Sequence, residues 1–375
     1  MRRTMRNIVV RWFVYLSVLS ALPAFAADQP KEDFSAISPL VQSWIDKGYY
    51  PWAVLRVYQG DKLLYAGHWG CYDQADNIAN IASGTKLLEA ATVLTVVDEG
   101  KIKLDAPIST YLPEFTGVKG SITVRQCLSH TSGLNQLKLT EGPGEHLIQK
   151  IAGVELTDAP GARFFYGATG LTVANCIAER VTGQSFEDLF QQRIAGPLGM
   201  THTKTGPNLY RIESAEGISL VPYTTAREYA RFLEMLASGG MYHGKRVLSA
   251  NSVQEMMADQ VRGATMPGGN FPQEFNLTSM LGEGKHGCYG FCMWREQVDA
   301  DGNATLVSCP GWSGFYPWID RKRGVHGVFL ARVADSWHFK WKEFNPMLAS
   351  ASLARLVGEA IDKKNQNQHE HGGMK

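Results

Sequence analysis

Ser83 and Lys86 stand three residues apart in "ASGTK" (82–86), and behind them "LLEAATVLTVVDEG" carries Leu87, Leu88, Ala91, Leu94 and Val97 at helical spacing. At about 3.6 residues per turn, a serine at a helix start and a lysine one turn on share a face. A serine hydroxyl is a poor nucleophile at neutral pH and needs a base beside it. A lysine amine can serve where burial or a neighbouring positive partial charge disfavours its ammonium form. The free N–H groups at a helix start supply such a field, about half a positive charge, and it also favours a developing alkoxide. The pair predicts acyl transfer through a covalent serine intermediate. S-x-x-K alone equally describes a surface lysine on a capped helix, so the surrounding elements matter.

Strand-forming sequence lies at both ends. After a polar leader, "WAVLRVYQGDKLLYAGHWG" reads as two strands joined at Gly60-Asp61, and the serine helix follows over 83–99. From about 100 to 215 the character is helical and loop-rich, with polar starts and amphipathic bodies in "SITVRQCLSH", "TGLTVANCIAERVTG" and "SFEDLFQQRIAG". A further helix, "TAREYARFLEMLASGG", leads back to the strands "YGFCMWREQV", "ATLVSC", "GFYPWID" and "HGVFLARV", closed by the helix "NPMLASASLARLVGEAIDKK". The order predicts an α+β fold: an antiparallel sheet built from both termini, flanked by terminal helices, with a helical subdomain inserted. The expected division is a sheet subdomain over about 27–82 and 225–362 and a helical one over about 83–224. The serine helix then begins at the junction, where clefts form. The polar end 363–375 reads as an unstructured tail, with His369 and His371 a weak metal pair at most.

With 375 residues, 44% hydrophobic and 19% charged, the chain has ample material for a large core. Its net charge of +1 argues against a nucleic-acid partner. Arg2, Arg3, Arg6 and Arg11 all fall in the first 26 residues, which contain no acid, leaving 33 basic residues against 36 acidic ones beyond them. Those 26 residues read as a secretory signal: an arginine-bearing start, the apolar run "WFVYLSVLSALPAFA", and Ala24-Phe25-Ala26 as the cleavage site. The fifteen residues from Trp12 to Ala26 fall short of the roughly 20 that span a membrane. A periplasmic or secreted protein without a stable membrane span is therefore expected. Six cysteines (Cys71, Cys127, Cys176, Cys288, Cys292, Cys309) would meet an oxidising compartment. "CYGFC" lacks the second pair a zinc site needs. Cys292 and Cys309 flank an expected hairpin turn at "DADGN" and either pair across strands or remain buried thiols.

Further blocks occur in fixed order: "IASGTK", "VVDEGKIKLDAPISTYLPEF", "ITVRQCLSHTSGL", "GARFFYGATG", "IAGPLGMTHT" and "PGWSGF". Together, from about Asp33 to Leu356, they resemble the serine β-lactamase-like family, which includes class C β-lactamases, D-alanyl-D-alanine carboxypeptidases and family VIII carboxylesterases. The resemblance implies Ser83 as acyl acceptor, Lys86 as its proton partner and Tyr166, in "FFYGATG", as the second proton carrier. A tyrosine does this only where a neighbouring cation stabilises phenolate, and Lys86 is the candidate. The third family motif falls on Trp312, Ser313 and Gly314, and the oxyanion hole on the backbone N–H groups of Ser83 and Phe315. Paired donors of this kind contribute a few kcal/mol at the barrier.

Two positions depart from the family pattern. The asparagine of Y-x-N is Ala168, and the third-motif cation is Trp312. A β-lactam carboxylate thus loses its customary partner, which disfavours substrates built around that charge. Trp312, with Phe315, Tyr316 and Trp318 close in sequence, suggests an apolar acyl or alcohol pocket instead. His130 in "SHTSGL" invites a Ser-His-Asp reading, but the resemblance assigns that block to a buried turn in the helical part, away from the nucleophile. Neither a G-x-S-x-G elbow nor H-E-x-x-H occurs. The expected activity is ester hydrolysis without metal or organic cofactor. β-Lactam or D-amino-acid peptide cleavage is the same chemistry on another substrate, and a lapsed binding protein for cell-wall fragments is the non-catalytic alternative.

Overall fold

The computed structural model describes residues 32–70, 77–134, 145–206, 222–261, 263–265, 289–332 and 344–372. The leader expected at 1–26, Cys71 and Cys288 lie outside them.

The described chain starts with α1 (Ile37–Asp46), β1 (Trp52–Gln59), β2 (Lys62–Gly70), β3 (Ala79–Asn80), a 3-10 turn over Ala82–Gly84, and α2 (Thr85–Asp98). Then come α3 (Gly117–Gly120), α4 (Val124–Leu128), α5 (Glu145–Gly153), α6 (Thr169–Thr182), α7 (Phe186–Phe190) and α8 (Gly196–Leu198). Next are β4 (Tyr223–Thr224), α9 (Ala226–Ala237), β5 (Met241–Tyr242), β6 (Lys245–Arg246) and α10 (Ala250–Met257). The last elements are β7 (Trp294–Val298), β8 (Ala304–Ser308), β9 (Phe315–Asp320), β10 (Val325–Arg332) and α11 (Pro346–Gly372). The result is α+β with an antiparallel sheet, as the strand and helix signals predict.

Six strands lie in the order β2-β1-β10-β9-β8-β7. Strands from the two ends of the chain pair directly, from Trp52 opposite Arg332 to Gln59 opposite Val325. Side chains alternate along each strand, so the sheet has two apolar faces. On β1, Trp52 and Val54 enter one cluster while Ala53, Leu55 and Val57 enter the other; on β9, Phe315 and Ile319 separate from Tyr316 and Trp318 in the same way. The first cluster includes residues of α2, α4, α6, α7, α9 and α10, and the second is covered by α1 and α11. A two-stranded pairing of β3 with β4, Ala79 opposite Thr224, ties the nucleophile's approach to the start of α9. Nothing in the sequence signalled these two-residue strands.

Three elements differ from the sequence reading. The polar stretch just before β1 contains α1, whose Ile37, Val41 and Trp44 recur at i, i+4 and i+7 and are buried. The apolar positions of α2 are not a stripe: every residue from Thr85 to Val96 is buried, because α6, α7 and α10 pack around the helix. Finally, α11 continues through the polar run to Gly372, where an unstructured tail was expected from 363. Ion pairs hold this stretch: Arg323 makes two contacts to Asp362, at 2.9 and 2.6 Å, and Lys364 reaches Glu32 at 2.7 Å. The Arg323 guanidinium keeps the Asp362 carboxyl below its ordinary range. The side chains of His369 and His371 lie outside the described residues.

The hairpin at 299–303 forms, with Asp299 Oδ1 accepting the N–H groups of Asp301 and Asn303 at 3.0 and 2.8 Å. The disulfide does not: Cys127, Cys176, Cys292 and Cys309 are free and buried. Trp294 pairs with Ser308, so the same register would set Cys309 against Met293.

On β10, His326 is 1% exposed and stacks on Tyr58 at 5.5 Å. Burial pushes its imidazole down to about 4. The unfolded chain therefore binds a proton near pH 6.5 that the native state refuses until about pH 4. Stability from this group is full above pH 6.5 and falls on acidification toward pH 4. Thermal unfolding across that range should show a declining Tm, with a shallower decline in His326→Phe; parallel slopes would remove His326 as a cause.

Candidate active site

Ser83 sits in the 3-10 turn that runs into α2, so serine and lysine share one face of a continuous helical path. Both are buried, and Lys86 Nζ donates to Ser83 Oγ at 3.1 Å. The turn is strained at Ala82, a non-glycine residue with φ +43. Such a conformation costs about 1–3 kcal/mol and persists only where the surroundings enforce it.

Four bonds do so. The Ala82 N–H donates to Asn80 Oδ1 at 2.6 Å, and Ser313 Oγ donates to the Asn80 carbonyl at 2.9 Å. The Tyr229 hydroxyl donates to the Gly84 carbonyl at 2.7 Å, and the Cys309 thiol donates to the Ser83 carbonyl at 3.4 Å. Burial pushes that thiol up to about 12, which keeps it a protonated donor and excludes it as a nucleophile. Gly84 is required here, because a Cβ would lie 2.3 Å from the Phe315 ring packed against the turn.

Tyr229 carries no signal in the sequence, since its partner is 145 residues away. Tyr229→Phe would remove the second donor to the Gly84 carbonyl, which as the N-cap of α2 also accepts the first bond of the helix, at a cost of about 0.5–1.5 kcal/mol. It should lower Tm and reduce kcat for any acyl substrate while leaving KM nearly unchanged. Thermal melts and steady-state kinetics check this; wild-type values for both would remove Tyr229 from the nucleophile's support.

Tyr166 lies in the irregular segment just before α6, whose N-cap is Ala168. Lys86 Nζ is 5.0 Å from the centroid of the Tyr166 ring, so Ser83, Lys86 and Tyr166 converge. Trp294, the first residue of β7, stacks on Tyr166 at 5.8 Å and 24°, and Tyr289 meets it edge-on at 6.3 Å. Ala168 is buried and presents no amide, and its carbonyl accepts from Thr172.

His130 occupies a buried turn, and that turn lies beside Tyr166. Its ring centroid is 4.8 Å from that of Tyr166. The chain leaves His130 in a left-handed conformation, φ +58, and the Phe165 N–H returns to the His130 carbonyl at 2.8 Å. That bond sets the "SHTSGL" turn alongside the "FFYGATG" segment.

The third-motif segment is a tight reversal against the nucleophile turn. Gly311 N–H donates to the Phe315 carbonyl at 2.7 Å, and a Cβ on Gly311 would lie 2.2 Å from the Ile81 carbonyl oxygen. Gly314 has φ +96, open to glycine without strain. The Phe315 N–H donates to the Gly311 carbonyl at 3.2 Å, so an oxyanion placed there would share this donor. Ser313 spends its hydroxyl proton on Asn80, and Trp312 is half-buried.

The aromatic pocket expected after Trp312 is a different one. Tyr316 and Trp318 point to the far face of the sheet, in the cluster beneath α1 and α11, because β9 alternates. Phe315 packs on the nucleophile turn and against Tyr229, at 4.8 Å. The rings near Tyr166 come instead from Trp294, Tyr289 and His130.

Residues 37–340 match the sequence profile of the family described as Beta-lactamase, and the chain belongs to that family. Fold and family together define it as a serine hydrolase related to β-lactamases and penicillin-binding proteins. A crystal structure from Bacteroides dorei DSM 17855 with a provisional β-lactamase designation superposes with a TM-score of 0.79 at 34% identity, covering 88% of this chain and 100% of that one. Esterase EstB of Burkholderia gladioli is 31% identical over 179 residues, 40% of this chain and 45% of the esterase. Penicillin-binding protein 4 of Amycolatopsis lactamdurans is 29% identical over 222 residues, 50% of this chain and 58% of that protein. The matched stretches thus span about half of each of these two proteins.

Proposed function

We propose that the chain is an exported hydrolase that cleaves esters through an acyl-enzyme on Ser83. The observation that carries this reading is the 3.1 Å contact between Lys86 Nζ and Ser83 Oγ inside a buried site that also holds Tyr166. In the reaction, Ser83 Oγ attacks the ester carbonyl while its proton passes to the Lys86–Tyr166 pair. The tetrahedral oxygen draws on the N–H groups of Ser83 and Phe315. Collapse breaks the bond to the alcohol, which leaves with the proton held by the pair. Water then attacks the acyl-enzyme, returning a proton to Ser83 Oγ and releasing the acid.

An ester is preferred over a β-lactam because Trp312 stands where a cation would meet a carboxylate. The likeness to Esterase EstB supports the same choice. Export is supported by the composition of residues 1–26. Among the described residues no helix is long and apolar enough to cross a membrane.

Turnover of a short p-nitrophenyl ester compared with a chromogenic cephalosporin tests the substrate class. Rapid ester cleavage with slow cephalosporin cleavage is expected. The reverse ranking would make the protein a β-lactam- or peptide-cleaving enzyme, and folded protein inert to both substrates and to a fluorophosphonate would be a binding protein.

A further inference from the structure

A cavity of about 520 Å³ lies between β7–β9 and α11, on the side of the sheet opposite Ser83. The volume falls within the usual range for small-molecule sites. Its polar centre is Glu296. Arg295 pairs with Val307 and Gln297 with Leu306, so Glu296 is an extra residue on β7 with no partner on β8. A bulge of this kind re-aims a side chain. Here the carboxylate meets the Tyr316 hydroxyl, 2.8 Å from Oε1 and 2.9 Å from Oε2, and the Ser308 hydroxyl, which donates to Oε1.

The other charged side chains in the cavity wall have counter-ions. Arg323 pairs with Asp320 and with Asp362, each at 2.6 Å, and Arg355 pairs with Glu359 at 2.7 Å. Glu296 receives only neutral hydroxyls, and among the described residues no cationic side chain reaches it. Burial raises its carboxyl above the ordinary range, against the pull of those two hydroxyls. A carboxylate taken out of water is costly unless a positive group meets it. A glutamine would take part in the same hydroxyl contacts without that cost, so packing gives no reason for the charge. Oε1 already accepts from two hydroxyls, whereas Oε2 accepts only the shared Tyr316 proton, which leaves an acceptor position open there. A single open position suits an ammonium N–H and not a guanidinium fork, which takes both oxygens. Leu306, Leu348, Ala351 and Ala354 supply an apolar wall beside it. We infer that this cavity binds a small primary amine as its ammonium ion, with the charged head on Glu296 Oε2 and the hydrocarbon part against Leu306, Leu348 and Ala354. The site is distinct from Ser83 and does not depend on the ester-cleaving reading.

Isothermal titration of the full protein with n-hexylamine hydrochloride near neutral pH tests the inference. Hexan-1-ol, which lacks the charge, and hexyltrimethylammonium, which lacks the N–H groups, are the controls. Saturable one-site binding of hexylammonium with a raised Tm is expected, and each control should bind at least about tenfold more weakly. Glu296→Gln keeps the hydroxyl contacts and removes the charge, so Tm should hold or rise while hexylammonium binding weakens about tenfold or more. Ala351→Phe leaves the carboxylate in place and fills the cavity, and it should weaken binding by a similar factor. No saturable binding to wild type, equal binding of either control, or wild-type affinity in folded Glu296→Gln would overturn the inference. Should Glu296→Gln fail to fold, undiminished affinity in Ala351→Phe would overturn it equally, since the amine would then bind outside the cavity.

Discussion

Ser83→Ala should lower ester turnover by at least about ten-thousand-fold, to the level that binding and the backbone donors sustain alone. The loss is expected in kcat, because the hydroxyl supplies the bond-forming atom while contributing little to ground-state binding. The fold should tolerate the change. Ser83 is braced through its backbone carbonyl by Cys309, and the neighbouring Gly84 carbonyl by Tyr229, so neither brace depends on the hydroxyl. A Tm within a few degrees of wild type would separate lost chemistry from lost structure. Turnover persisting in folded Ser83→Ala protein would remove the serine from the reaction.

Lys86→Met is the second large effect. Methionine fills much the same volume in an enclosed site and removes a polar group from it, so stability should hold or improve. Without the amine 3.1 Å from Oγ, the serine keeps its proton during attack. A general base of this kind contributes roughly a hundred- to ten-thousand-fold, and about a thousand-fold loss in acylation is expected. Tyr166 alone would not compensate if the two act as one titrating pair. Stopped-flow release of p-nitrophenolate reads acylation directly. A burst rate within tenfold of wild type would assign the proton transfer elsewhere, Tyr166 being the first candidate.

The helix start behind "ASGTK" was legible because chemistry and periodicity fall within one short window: a serine, a lysine one turn on and an apolar run. The end-to-end sheet was legible too, since its strands alternate and its turns carry glycine and aspartate. What sequence could not convey was orientation. Phe315, Tyr316 and Trp318 look like one aromatic patch on paper, yet β9 sends Phe315 toward the nucleophile and the other two to the opposite face. His130 and Tyr166 are 36 positions apart, and backbone hydrogen bonds from Phe165 N–H to the His130 carbonyl and from Gly161 N–H to the Thr131 carbonyl bring their segments together. Tyr229 and Asn80 support the nucleophile through backbone atoms, and such contacts leave no mark on residue type. The helix past residue 362 was missed for the same reason: ion pairs with Arg323 and Glu32 secure it where apolar period does not.

The central claim is that the acyl group of the substrate becomes covalently bound to Ser83. Brief exposure to p-nitrophenyl acetate, an acid quench and intact-mass measurement with peptide mapping test it most directly. The account predicts an added acetyl mass on the peptide bearing Ser83, absent from Ser83→Ala. Rapid turnover with no adduct at any quench time, or an acetyl group residing on another residue, would contradict it.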